Sequence, residues 1–325
     1  MKNLRIVFMG TADFAVASLG SLLMNGFNVV GVVTVPDKPA GRGRRVRKSA
    51  VKEFAEFSSL PILQPGNLKD PDFISELKKF NADLFIVVSF RMLPEVVWRL
   101  PVIGTINLHA SLLPNYRGAA PINHAIINGE TITGVTTFFI DDKIDTGSIL
   151  LTEEVPIFPF ENAGDLHDRL MKHGARLIIK TLSDIAENKI NPVPQHALLK
   201  PEESPKLAPK IHPDDCLINW DNTAANINNL IRGLAPYPCA RSFFKNESGI
   251  HSFKIYESQV EIENHAYKHG QIISDGKHFI RIACNDGFIN IVCLQLEGKK
   301  RMNTEEFLRG FMVSDYSIPV TQPAS

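Results

Sequence analysis

No run of about 20 consecutive apolar residues occurs in this chain, which excludes a membrane-spanning helix of ordinary length. The opening MKNLRIVFMG lacks the long apolar stretch and small-residue cleavage site of a secretory signal, so the expectation is a cytoplasmic protein with no membrane partner. Cysteine is scarce: Cys216, Cys239, Cys284 and Cys293 are the four, and none has C-x-x-C spacing. That argues against a zinc site and for free thiols in a reducing compartment. An excess of charge of either sign is missing too, since 35 Lys and Arg balance 35 Asp and Glu. Any affinity for a polyanion therefore has to come from a local patch. The first strand-to-helix turn carries Gly10 but no G-x-G-x-x-G, which speaks against a nicotinamide dinucleotide enzyme. Internal repeats and low-complexity tracts are absent.

A chain of 325 residues has room for two domains. Leu4 to Met9 reads as a strand, Phe14 to Asn25 has helical spacing, and Phe27 to Val35 is apolar on both faces, as a central parallel strand would be. Strand, helix and strand make a βαβ unit. Helices over 49–59 and 72–80 flank a short strand near Ile62, and LFIVVS (84–89) is a buried strand. Phe90, Arg91, Met92 and Leu93 follow it, at the carboxyl edge where open α/β sheets bind ligands. A helix from Ala119, strands over 133–141 and 148–157, and a long helix ending near Ile190 complete this pattern. Residues 191–213 contain six prolines and have the composition of a linker. Beyond it, a strand at Ile218 to Trp220, a helix over 224–234 and short strands at 240–244, 253–256, 279–283 and 289–296 predict a small OB-like β-barrel. The expected division is thus 1–190, a linker over 191–213, and 214–325.

The stretch IGTINLHASLLPNYRGAAPI (103–122) is organised around chemistry. It begins as a strand, on which Asn107 and His109 share one face because side chains alternate. The strand runs into a Pro- and Gly-bearing loop. An amide donor beside an imidazole can polarise a carbonyl and stabilise an oxyanion. On the residues alone, a purely structural role for the pair is about as good a reading.

NLHASLLPNYRGAAPI (107–122) and DDKIDTG (141–147) resemble the signature of the folate-dependent formyltransferases. CLINWDNTAANINNLIRGLAPYPCARSFF (216–244) and LEGKKRMNTEEFLRG (296–310) resemble the C-terminal domain of the methionyl-tRNA formyltransferases among them. The resemblance implies an α/β fold, with a Rossmann-like, mostly parallel sheet followed by the small barrel. It also implies formyl transfer from 10-formyltetrahydrofolate, consumed as co-substrate without a metal, to the methionine amine of charged initiator tRNA; a monomer is expected, although the sequence itself is silent on oligomeric state. Asn107 and protonated His109 would donate to the oxyanion, while Asp145 would orient His109 and help a water take up the amine proton. The donor would lie against Phe90, Arg91, Met92, Leu93, Ser111, Leu112, Leu113, Pro114 and Asp142. Here this sequence departs from the family, which has an aromatic residue followed by Gly where Phe90-Arg91 stands. A sugar-nucleotide N-formyltransferase, or a tRNA-binding module without catalysis, is the alternative.

KPAGRGRRVRKSAVK (38–52) holds seven positive side chains and no negative one. Arginine predominates, and its planar fork of donors suits phosphate. On the resemblance this loop enters the acceptor stem, with Arg42 deepest and Lys38, Arg44, Arg45, Arg47 and Lys48 around it. Lys206, Lys210, Arg232, Lys245, Lys299, Lys300 and Arg301 are candidates for a second positive surface.

Overall fold

A computed structural model describes residues 4–40, 45–200, 202 and 204–319. The chain opens with β1 (Arg5–Gly10), α1 (Asp13–Met24) and β2 (Asn28–Val33), then a hairpin of β3 (Lys38–Ala40) and β4 (Arg45–Arg47). Next come α2 (Ala50–Phe57), β5 (Ile62–Leu63), α3 (Pro71–Lys79), β6 (Leu84–Val88), α4 (Glu95–Trp98) and β7 (Gly104–His109). After these follow α5 (Pro121–Ile127), β8 (Ile132–Phe139), β9 (Ile149–Pro156) and α6 (Ala163–Ala186). The remainder holds α7 (Ala224–Leu234), β10 (Ala240–Asn246), β11 (Gly249–Ile262), β12 (Ile272–Ser274), β13 (Ile280–Cys284), β14 (Gly287–Leu296), β15 (Met302–Asn303) and α8 (Thr304–Leu308).

The larger sheet has the order β5-β2-β1-β6-β7-β8-β9, parallel from β5 through β7 and antiparallel at β8 and β9. This is the Rossmann-like α/β arrangement. Its central strand β6, LFIVV, is apolar throughout, as a parallel strand buried on both faces is. All five residues of β6 are buried. Val7, Met9, Phe85 and Val87 pack on Phe73 and Leu77 of α3, whereas alternation turns Ile6 and Phe8 to the opposite face. Strand order reverses between β1 and β6, so the carboxyl end of β6, with β7 next to it, lies at a topological switch point, where such sheets bind ligands.

The second sheet is antiparallel, β10-β11-β14-β13-β12 with β15 on β14, and forms a half-barrel. Among the described residues no strand pair joins β12 to β10. The turn at Val313–Asp315 packs beside β12, and Ser317 bridges Lys245 of β10, so residues 313–317 span that gap. Ile227 and Ile231 of α7 fill the curve against Phe244, Phe253 and Leu294. Cys216, Cys239 and Cys284 are buried free thiols whose pKa values burial raises.

By compactness the chain divides into Met1–Pro121, Ile132–Pro156 and His167–Ala208 on the one hand, and Ile122–Thr131, Ile157–Leu166 and Pro209–Ser325 on the other. Two segments depart from expectation. The supposed linker is, through Ala208, part of the first unit: Val193 and Ile149 exchange backbone hydrogen bonds of 2.8 and 2.9 Å, and Ala208 donates to the Arg117 carbonyl at 2.7 Å. Proline stops helices but leaves an extended chain able to dock on a strand or loop. In the second unit, Asn123 donates to the Gly233 carbonyl at 2.7 Å and Arg232 to the Glu161 carbonyl at 2.9 Å.

Smaller differences have local causes. Ile218 to Trp220 is not a strand; Leu217 alone bridges Arg241, and Trp220 is buried with its indole N–H on Ser242. Helix α5 starts at Pro121 and not Ala119, because Ala120 donates to the Ala208 carbonyl while Pro suits the first helical turn. Strand β11 runs 14 residues, since its flanks alternate polar residues over the exposed face.

Candidate active site

The end of β7 carries the expected pair. Asn107 and His109 project from one face, while Leu108 points the opposite way and meets Gly174 of α6 so closely that a Cβ there would lie 2.6 Å from its Cδ2. His109 is buried, and its Nε2 donates to the Tyr116 carbonyl at 2.8 Å. That bond settles the tautomer of the neutral ring: the proton sits on Nε2, and Nδ1 is the free edge. Nδ1 lies 3.8 Å from Asp145 Oδ2, too far for a direct hydrogen bond but within reach of an ion pair when the ring is protonated. Asn107 is half-buried, and among the described residues its amide has no hydrogen-bond partner.

Asp145 stands at φ +54°, in the left-handed region that non-glycine residues enter at a cost of about 1 kcal/mol or more. Its carboxylate accepts from the Gly118 N–H at 2.9 Å, and its backbone carbonyl accepts from Gln195 at 2.9 Å. Two residues on, Gly147 has no room for a side chain: a Cβ would stand 1.6 Å from the Phe139 carbonyl oxygen. The facing loop makes two left-handed steps, at Tyr116 (φ +62°) and Gly118 (φ +126°). Ser111, Thr136 and Asn115 hold it in shape. Ser111 donates to the Asn115 carbonyl at 2.7 Å, and Thr136 donates to the Ser111 carbonyl at 2.7 Å and accepts from Leu113 at 3.2 Å.

Ser111, Leu113 and Pro114 are thus buried parts of the loop frame, with Leu113 packed on Phe138 and Ile149. Leu112 is half-buried over Gly134, and Asp142 is exposed. After β6, Leu93 and Phe90 pack into the core, whereas Met92 is 67% exposed. The departure at Arg91 finds its explanation here. Its guanidinium donates to the carbonyls of Pro65 and Gly66 and lies 5.7 Å over the Phe90 ring, with burial lowering its pKa. Arg91 therefore ties two loops together.

The basic hairpin stands on a fixed foot. Thr34 and Ser49 hydroxyls are 2.7 Å apart, and Lys52 Nζ meets Asp37 at 2.6 Å. Lys38 and Arg47 are exposed; Lys48 is also exposed but pairs with Glu56 at 2.7 Å. Arg42 and Arg44 lie outside the described residues, and of Arg45 only the backbone is placed, in β4. Lys206 sits against the signature loop: its N–H donates to the Asn115 side chain at 2.9 Å, and its Nζ lies 5.9 Å over the Tyr116 ring. In the second unit, Lys210, Lys245 and Lys299 are exposed. Three of the proposed cations there are engaged instead. Arg232 binds the carbonyls of Glu161 and Phe158, Lys300 pairs with Glu306, and Arg301 pairs with Glu257.

Pattern reading missed Tyr116, Arg117, Thr136 and Gln195, which frame the pair. Only Tyr116, Arg117 and their neighbours carried any signal, as members of the signature run.

Comparison with known proteins covers both halves of the chain. The formyl transferase family profile matches residues 4–182, and the formyl transferase C-terminal domain profile matches residues 210–312. The methionyl-tRNA formyltransferase of Flavobacterium johnsoniae is 54% identical over 315 residues, covering 97% of this chain and 98% of that protein. That of Bacteroides fragilis is 50% identical over 315 residues, with 97% of each covered. Among solved structures, WlaRD, a sugar 3N-formyl transferase crystallised with dTDP and 5-N-formyl-THF, superposes with a TM-score of 0.64 at 24% identity. It covers 91% of this chain and 99% of that one, a likeness of fold.

Proposed function

The chain belongs to the methionyl-tRNA formyltransferase family, and from that membership we propose that it moves a formyl group from 10-formyltetrahydrofolate to the amine of methionine on charged initiator tRNA. The observation that carries the reading is the arrangement at the end of β7: an Asn107 amide without a partner among the described residues, beside a His109 whose remaining nitrogen faces Asp145. The uncharged amine attacks the formyl carbon, and the carbonyl oxygen becomes an oxyanion. Asn107 donates to that oxygen, as does Nδ1–H of the imidazolium, because Nε2–H is already committed to Tyr116. Asp145 faces the imidazolium and helps an adjacent water take up the proton the amine loses. The carboxylate bond to Gly118 occupies one lone pair and leaves others for that water.

The donor fits the loop ends of β6 and β7, where the exposed Met92 and half-buried Phe90 and Leu112 offer apolar surface. Arg47, Lys38 and Lys206, with the arginines of the 38–48 loop, supply cationic groups for the acceptor end of the tRNA. Collapse of the oxyanion breaks the bond between the formyl carbon and N10 of the donor, N10 takes up a proton by way of the same water, and tetrahydrofolate and formyl-methionyl-tRNA leave as products. A formylation assay with labelled 10-formyltetrahydrofolate tests the reading. Label should pass to charged initiator tRNA and not to dTDP-amino sugars; the reverse preference would overturn it.

A further inference from the structure

We infer that Gln195 is a positioning residue for the transfer: it holds Asp145 at the free edge of His109. The inference rests on the role proposed above for Asp145. Gln195 is 2% exposed, and its amide is fully used. The NH2 group donates to the carbonyls of Asp145 and Gly147, both at 2.9 Å. The oxygen accepts from Arg117 twice, from Nε at 3.0 Å and from Nη2 at 2.7 Å. A primary amide has two N–H donors and two acceptor lone pairs, so every one finds a partner.

The two groups it joins are the two sides of the site. Arg117 lies between Tyr116, whose carbonyl fixes His109, and Gly118, whose N–H fixes the Asp145 carboxylate. Asp145 and Gly147 bracket the opposite loop. Both loops pass through left-handed residues, Tyr116 and Asp145, which persist only where surrounding bonds over-determine them. The His109–Asp145 separation of 3.8 Å is not set by a bond between the two side chains. It is set by how the loops are tied, and Gln195 is a buried tie that reaches both. No neighbouring residue type substitutes for it. Glu keeps the acceptors for Arg117 but presents oxygen to two carbonyls, and Met fills the volume with neither donor nor acceptor.

The test is a double-mutant cycle in the full chain, read by single-turnover formylation of charged initiator tRNA, with Asp145→Asn, Gln195→Glu and their combination. Gln195→Glu should slow transfer about 10- to 100-fold, the scale of a misplacement of about 1 Å, while KM for either substrate moves by less than about threefold. Adding Gln195→Glu to Asp145→Asn should cost nothing further, since the group being positioned is already lost. A merely structural glutamine would lower the melting temperature and multiply with Asp145→Asn; multiplicative losses, or wild-type turnover in Gln195→Glu, would overturn the inference. Wild-type turnover in Asp145→Asn is a different result, which removes the proposed role of Asp145 itself. Gln195→Met supplies the same cycle if Gln195→Glu does not fold.

Discussion

The signature loop and the basic hairpin are both strand-end insertions in the first unit, and they are built in opposite ways. Around His109 and Asp145, polar contacts run to backbone carbonyls, backbone N–H groups or a buried amide. The hairpin is a two-stranded ribbon of its own, and the side-chain bonds that anchor it lie at its foot, through Thr34–Ser49, Asp37–Lys52 and Lys48–Glu56. The difference follows from what each has to supply. Stabilising an oxyanion requires donors already in place, because reorganisation would cost the energy they provide. Capturing a phosphate backbone requires positive charge near the surface and tolerates many arrangements.

The sharpest way to break this comparison is at the chemical end. Asn107→Ala or His109→Ala should slow turnover roughly 100- to 1,000-fold, the scale of one lost oxyanion donor, with tRNA affinity nearly unchanged. Single-turnover rates beside equilibrium tRNA binding measure both. Near-normal turnover in either variant would mean that the rigid loop serves something other than transfer.

What was legible in advance divides along the same line. Strand alternation placed Asn107 and His109 on one face, and apolar runs marked β1, β2 and β6, because these signals are local. Gln195 was invisible: its partners are 50 and 78 positions away in sequence, and the prolines around it gave the segment the look of a tether. The SLLP run illustrates a second limit. Its match to a family marks the place of the site but does not reveal that Ser111 bonds the loop's own backbone or that Leu113 packs on Phe138 and Ile149. Trp220 shows a third, for an apolar triplet reads as strand when it is only a buried turn capped by a bond to Ser242.

At the hairpin, the expected effect is on capture. Replacing Arg42, Arg44, Arg45 and Arg47 together by Ala should weaken tRNA use at least about 10-fold near physiological salt, leaving folate binding intact. The logarithm of affinity against that of salt should flatten by somewhat under about one unit for each phosphate that loses its arginine. Identical slopes for the variant and the parent would make the hairpin an ordinary solvated surface, and the contrast with the signature loop would lose its second half.

The smallest effect sits at the hairpin's foot, where a partly buried cation is held. Lys52 and Gln64 bond the two oxygens of Asp37 at 2.6 and 2.8 Å, and together they hold its pKa below the ordinary value of 3.8. A carboxylate whose folded pKa is depressed binds its proton more weakly in the folded chain than in the unfolded one. Its contribution to stability is therefore complete above the unfolded value and is lost as pH falls through the folded one. Asp37→Asn should lower the melting temperature slightly at neutral pH, and the gap to wild type should close as pH drops below about 3.8. In the same variant tRNA use should fall modestly, while transfer from bound substrates keeps its rate, because Asp37 touches neither His109 nor the loops that hold Asp145. Melting curves from about pH 3 to 7 on both proteins decide it. A gap that stays constant across that range would show that the foot is held by packing and not by the Asp37–Lys52 pair, and a slowed transfer step would show that the two loops are coupled after all.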